Sequence, residues 1–346
     1  MTKSLRRRLL LTGLAASALL AVGSIVFLLV FRTPATTPLP NPNGYDDLLL
    51  AAKTATTKTY DIPSLDHEQL RALVATNAEA LWLLRVGLSR RCAVPTDAAV
   101  TNFVAHSADL PPVRGLVMLL FGEGRLAEME NRRVDAVRSY IDAIRLGNEM
   151  SHGGLIIDRL VGIGCETFGG VPLAKIISKL ECDQMRPLVA ELEHIDESTV
   201  TWPEVARNEN RFFRAQLGIF PNPLKLLLYA RQARFGLKDH EERHDSAAAH
   251  LRLLTTELAL RCYRCDHGSA PGSLQQLVPK YLQRAPSDPF SGHPLIYRPS
   301  GTNWLLYSVG PDRVDDGGKP TGPVGFGYSP STTGPIKGDL LYDSPW

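Results

Sequence analysis

The longest apolar stretch of the chain comes first: no residue from Leu9 to Phe31 is charged, and Lys3, Arg6, Arg7 and Arg8 stand ahead of it. A helix rising about 1.5 Å per residue crosses the roughly 30 Å hydrocarbon core with such a run, whereas the apolar part of a cleaved signal is typically about 7–15 residues. The pattern predicts a cytoplasmic basic tail over 1–8 and a transmembrane signal anchor over 9–31. Only Arg32 follows the span directly, so the positive-inside bias puts the N-terminus in the cytoplasm. The expected location is the inner membrane, single-pass, with the bulk periplasmic or otherwise extracytoplasmic. A cleaved signal, even a twin-arginine type on Arg7-Arg8, is the alternative. Pro34, Pro38, Pro40 and Pro42 then mark residues 32–44 as an extended spacer.

From 45 to about 240 the apolar positions recur with helical spacing. Leu70, Leu73, Val74, Leu81, Leu84 and Leu88 share a face between Asp66 and Arg91, and Asp66 with Gln69 forms a capping-box pattern. Further helices are predicted over 113–129, 133–146, 153–165, 172–179, 183–194, 202–217 and 223–235. Strand patterns are nearly absent, which argues for a helical bundle or stacked hairpins. The stretch 134–140 resembles one helix of a tetratricopeptide repeat, without the sustained period of about 34 residues that a repeat array shows.

The pattern changes over 241–346, where Gly and Pro become dense. A long helix is predicted from Glu241 to Asp266, with Leu251, Leu254, Leu258 and Cys262 on its apolar face and Gly268 beyond its end. A short helix near 273–281 follows, then strands at 295–298 and 304–308 joined by the turn Pro299-Ser300-Gly301-Thr302. The fold class expected is mainly α: a membrane helix, a helical domain over 45–240, and a small α+β domain over 241–346.

Composition limits the function. The 346 residues are 44% hydrophobic and 21% charged, ordinary for globular domains, and suffice for two or three of them. A net charge of +2 gives no electrostatic footprint for nucleic acid. Five cysteines are too few for a disulfide scaffold. Cys262 and Cys265 form a C-x-x-C at a helix C-terminal end, where the dipole does not favour a thiolate, so a local disulfide or two packed thiols is expected rather than redox catalysis. No phosphate loop, nucleophile elbow or dinucleotide fingerprint is present, and no organic cofactor is expected.

In order along the chain, Asp266-His267-Gly268, Leu277-Val278-Pro279, Tyr281-Leu282, Asp288-Pro289-Phe290-Ser291-Gly292, Tyr297 and Tyr307-Ser308-Val309-Gly310-Pro311-Asp312 resemble the C-terminal part of type II secretion major pseudopilins. The resemblance covers roughly 247–318, about a fifth of the chain. It implies a long helix packed on a small antiparallel sheet, and calcium held at Ser308, Asp312, Asp315 and Asp316. Independently, carboxylates crowded into the Gly-rich loop 312–318 suit Ca²⁺, with a solvated acidic turn as the alternative. The chain lacks the prepilin peptidase site and the membrane helix running straight into the globular domain that a pseudopilin carries.

His240-Glu241-Glu242-Arg243-His244 fits H-E-x-x-H, in which two histidines one turn apart hold zinc while the Glu acts as general base. This makes a membrane-tethered zinc metalloprotease the rival reading. Against it, the flanks are charged, Ala247 stands where a metzincin has Gly, no methionine follows Met185, and His250 on a continuing helix lies about 120° round from His244. The sequence thus argues for a membrane-anchored, extracytoplasmic, non-catalytic scaffold with protein partners in the envelope.

Overall fold

A computed structural model describes residues 38–56, 62–96, 103–217, 223–320 and 338–343. The predicted basic tail, the anchor over 9–31 and the spacer up to residue 37 lie outside the described residues. Within them the protein is mainly α-helical, with one small two-stranded sheet.

The first three helices are α1 (Gly44–Thr54), α2 (His67–Thr76) and α3 (Ala78–Leu88). Asp66 and Gln69 form the predicted capping box at the start of α2. The single helix expected between Asp66 and Arg91 is broken at Asn77, whose Oδ1 accepts the Thr56 N–H at 2.8 Å while its Nδ2 donates to the Leu73 carbonyl at 2.9 Å. An amide side chain that bonds nearby backbone offers the chain an alternative to helix. Next come α4 (Phe103–Met129) and α5 (Arg133–Glu149). α4 begins ten residues before the predicted start at 113 and runs through Pro111 and Pro112. Complete burial of Leu116, Leu119, Leu120 and Val113 offsets the backbone bonds those prolines forgo.

α6 (Ile156–Ile176) joins the two helices expected at 153–165 and 172–179 into one. It crosses α5 at Gly147 and Gly162, where a Cβ on either residue would lie 2.3–2.4 Å from the other's carbonyl oxygen. With the following turn (Ile156–Lys179) it is the one helix among the described residues long and apolar enough, by length and composition, to cross a membrane. In the fold, half of that stretch is buried and packs on α5 and α9.

α7 (Cys182–Ser198), α8 (Trp202–Leu217) and α9 (Pro223–His267) complete the helices. α9 unites the predicted helices 223–235 and 241–266 and ends at Gly268, whose φ of +72° suits a residue without Cβ. β1 (Ile296–Ser300) and β2 (Asn303–Tyr307) then pair antiparallel from Ile296↔Tyr307 to Ser300↔Asn303. Pro299 lies on the edge strand, where its missing N–H is tolerated. The sheet rests on α9, with Trp304 Nε1 donating to Glu257 Oε2 at 2.7 Å and the Arg264 guanidinium over the indole ring.

Two cores result. One gathers α1 to α4 with Ala143, Leu146, Met150 and Cys165. The other joins Tyr140, Ile141 and Ile144 of α5, Leu173 and Ile176 of α6, and Met185, Val189, Leu192 and Ile195 of α7 to Leu251, Leu254 and Leu258 of α9 and to Leu306 of the sheet. The domain boundary predicted at residue 240 therefore falls inside α9, and the second core holds residues from both sides of it. The amphipathic face of α9 is filled by α7, an earlier element, so among the described residues no separate core forms after residue 240.

Candidate functional site

The H-E-x-x-H stretch lies within α9 beside the N-terminal end of α6, where the buried polar groups of the helical part converge. Arg159 is 1% exposed. Its guanidinium donates to both Glu166 oxygens (2.5 and 3.2 Å), to Ser151 Oγ (3.3 Å) and, through Nε, to His244 Nδ1 (3.0 Å). A ring nitrogen that accepts from arginine is unprotonated, so His244 is the neutral tautomer with its proton on Nε2. Burial, aided by the Arg159 charge, pulls the His244 imidazole down to about 3. Its ring packs on Trp202, with centroids 5.9 Å apart.

Immediately before Arg159 on α6, Asp158 accepts the Leu155 N–H at 2.7 Å and faces His106 Nε2 at 2.9 Å. That bond raises the His106 imidazole above its usual range despite burial. α8 closes the cluster: Glu209 accepts the Ile156 N–H at 2.9 Å and Asn208 donates to the Gly154 carbonyl at 3.1 Å. These groups tie α4, α6, α8 and α9 together, and each bond named is internal.

This geometry bears on the zinc reading. His244 Nδ1 is occupied by Arg159, and His240 Nδ1 is buried without a hydrogen-bond partner. Burial also lowers the His240 imidazole. Glu241 is exposed. His250, on the same continuous helix, turns its Nδ1 to the Ser246 carbonyl at 2.8 Å. Among the described residues no three His, Cys, Asp or Glu side chains lie together so as to hold a metal ion, which argues against the metalloprotease alternative.

The acidic loop is organised by internal bonds as well. Ser308 is fully buried and donates to Asp288 Oδ1 at 2.9 Å, and Asp288 also accepts the N–H groups of Phe290 and Val309. Asp312 accepts from the N–H groups of Val314 (3.2 Å) and Gly338 (3.3 Å). Asp315 accepts from the Tyr307 hydroxyl, the Gly317 N–H and Arg298, and is held below the usual carboxylate range, chiefly by the Tyr307 bond. Asp316 gives its N–H to Asp339, a residue sequence reasoning did not single out, which also takes the Gly318 N–H at 2.7 Å. The Ser308 hydroxyl thus donates to Asp288 and accepts the Gly310 N–H at 3.2 Å.

The cysteine expectation is corrected. Cys265 is bonded to Cys182, 83 positions earlier, with Cα atoms 6.1 Å apart, and Cys262 is a buried free thiol. Cys262 faces into the core on the apolar stripe of α9, while Cys265, three residues on, meets the first residue of α7. Beside the bond, Asp266 accepts from Arg186, Lys280 (2.8 Å) and the Tyr281 hydroxyl (2.6 Å). Sequence reasoning missed Arg159, Glu166 and Cys182. The first two carried a legible signal as charges inside an apolar helical stretch; Cys182 carried none.

No family model matches the chain, and no solved structure matches it. Among curated proteins, a chaperone protein HscA homolog of Shewanella woodyi (strain ATCC 51908 / MS32) is 33% identical over 135 residues. The similarity covers 36% of this chain, which spans only 21% of that protein's length.

Proposed function

We propose that this protein is a membrane-anchored, extracytoplasmic scaffold that acts through contacts with other proteins of a secretion-like envelope assembly. The observation that carries the reading is the Cys182–Cys265 bond, because disulfides persist in oxidising compartments and are rare in the cytosol of mesophiles. The basic cluster and apolar run before residue 32 supply the anchor and its orientation. The pseudopilin-like order of motifs over 247–318 supports a place in the envelope. Partial likeness to a chaperone is in keeping with work through protein contacts. Trp82, 62% exposed on α3, is among the described residues the large apolar side chain most available to a partner, and tryptophan is enriched where proteins meet.

Two C-terminal fusions test this reading: a phosphatase active only outside the cytoplasm and a fluorescent protein that matures only inside it. The phosphatase fusion is expected to be active and membrane-bound after a carbonate wash. An active cytoplasmic reporter overturns the proposal. A photo-crosslinking residue at position 82 is then expected to trap a discrete envelope protein, whereas crosslinking to lipid alone opposes the scaffold role.

A further inference from the structure

We propose that the outer face of α1 and α3 is where two copies of this chain meet, side by side on one membrane. The inference rests on the anchored reading above and names the partner at Trp82 as a second copy. α1 and α3 run antiparallel. A Cβ on Gly44 would lie 2.5 Å from the Gly87 carbonyl oxygen, and at the other end the Thr56 N–H meets Asn77 Oδ1 at 2.8 Å. Counting inward from those two contacts brings Leu50 level with Trp82 and Lys53 level with Glu79. At about 100° per residue, Leu50 lies roughly 160° round α1 from the buried Leu48, and Trp82 lies the same angle round α3 from the buried Leu84. Both therefore point away from the core, 51% and 62% exposed.

The charges select the occupant. Lys53 and Glu79 are exposed and pair with nothing among the described residues, whereas Asp47 is already held by Arg90 at 2.6 Å. A face with free charges of both signs beside an apolar pair suits neither an anionic bilayer nor a partner of one strong charge; it is complementary to itself. A two-fold axis running along the helices lays α1 on α3 of the second copy and keeps every level unchanged. Leu50 then meets Trp82 of the second copy and Lys53 meets its Glu79, each contact being made twice.

The same axis keeps both N-terminal ends at one end of the pair. Asn43, just ahead of α1, is fixed to Ala93, its Nδ2 donating to the carbonyl at 2.8 Å and its Oδ1 accepting the N–H at 2.9 Å. The apolar run ends at Phe31. Residues 32–43 span at most about 43 Å, so both anchors enter the same bilayer. An axis across the helices would send the two tethers in opposite directions.

Co-capture tests the pairing. The full chain is co-expressed in two forms with different epitope tags, solubilised in mild detergent and captured on one tag. The second tag is expected to follow the first, and a photo-crosslinking residue at position 82 to give a species of twice the chain's mass that carries both tags. Lys53→Glu in both forms sets two like-charge pairs across the interface and is expected to lower co-capture about tenfold, as is Glu79→Lys in both. A Lys53→Glu form with a Glu79→Lys form restores two opposite-charge pairs, so co-capture is expected to return, which a misfolded variant would not allow. Co-capture that is absent in the native chain, persists in Lys53→Glu or fails to return in the mixed pair overturns the proposal. Crosslinking from position 82 only to a different protein overturns it and leaves the scaffold reading standing, whereas crosslinking to lipid alone overturns both.

Discussion

Arg159 illustrates what a buried charge demands of its surroundings. Its fork is filled by Glu166, Ser151 and His244, and removing the counter-charge leaves a cation with nowhere to be solvated. Glu166→Gln is expected to lower unfolding stability by about 3–5 kcal/mol, read from the urea midpoint, whereas Glu241→Gln on the exposed face should change it by less than about 0.5 kcal/mol. The two buried histidines of α9 set a pH dependence. Both are pulled down from 6.5 by burial, His244 to about 3 and His250 to about 4. Below pH 6.5 the unfolded chain takes up protons that the folded one refuses, so stability falls as pH drops from 6.5 toward 4. The His106–Asp158 pair acts oppositely: its contribution is present at low pH and is lost as pH rises through the raised histidine value. Melting temperatures between pH 7.5 and 4.5 should decline, and the double change His244→Gln, His250→Gln should flatten the decline. The spacing of His240 and His244 was legible in the sequence, but the chemistry of His244 was not. Its partner lies 85 positions away, and a pairing at that distance leaves no local pattern.

Among the helices, those with strong periodicity or a cap were readable from the chain: α2 at its start, α5, α7, α8 and the end of α9. Failures came where packing overrode a local rule. Prolines 111, 112 and 172 sit inside helices because their neighbours are buried, while Asn77 ends a helix that the leucine spacing would have continued. The partner of the Ser308 hydroxyl was not legible either, since Asp288 lies 20 positions away. Gly147, which reads as a helix stop, instead lies inside α5 and meets Gly162 of α6, a pairing that leaves no local pattern in the sequence. Gly162→Ala would set a methyl about 2.4 Å from the Gly147 carbonyl oxygen, where backbone has to move. A loss of about 1–3 kcal/mol is expected in thermal unfolding, whereas Gly164→Ala, which meets nothing within 4 Å, should be neutral or slightly stabilising.

Across the whole molecule, the order of elements was legible and their partition was not, because sequence shows where composition changes and not which faces meet. The shared second core gives this a practical consequence. Leu251, Leu254 and Leu258 of α9 bury themselves against Met185, Val189 and Leu192, which come from before the compositional break. A fragment of residues 241–346 alone is expected to be insoluble or to bind a hydrophobic dye, and one extended back to residue 180 should be markedly better behaved in the same assay. The sheet-bearing end is therefore not a portable module. A chimera that grafts it onto another protein inherits an open seam along α9, and must either carry α7 with it or be given a helix that fills the same groove.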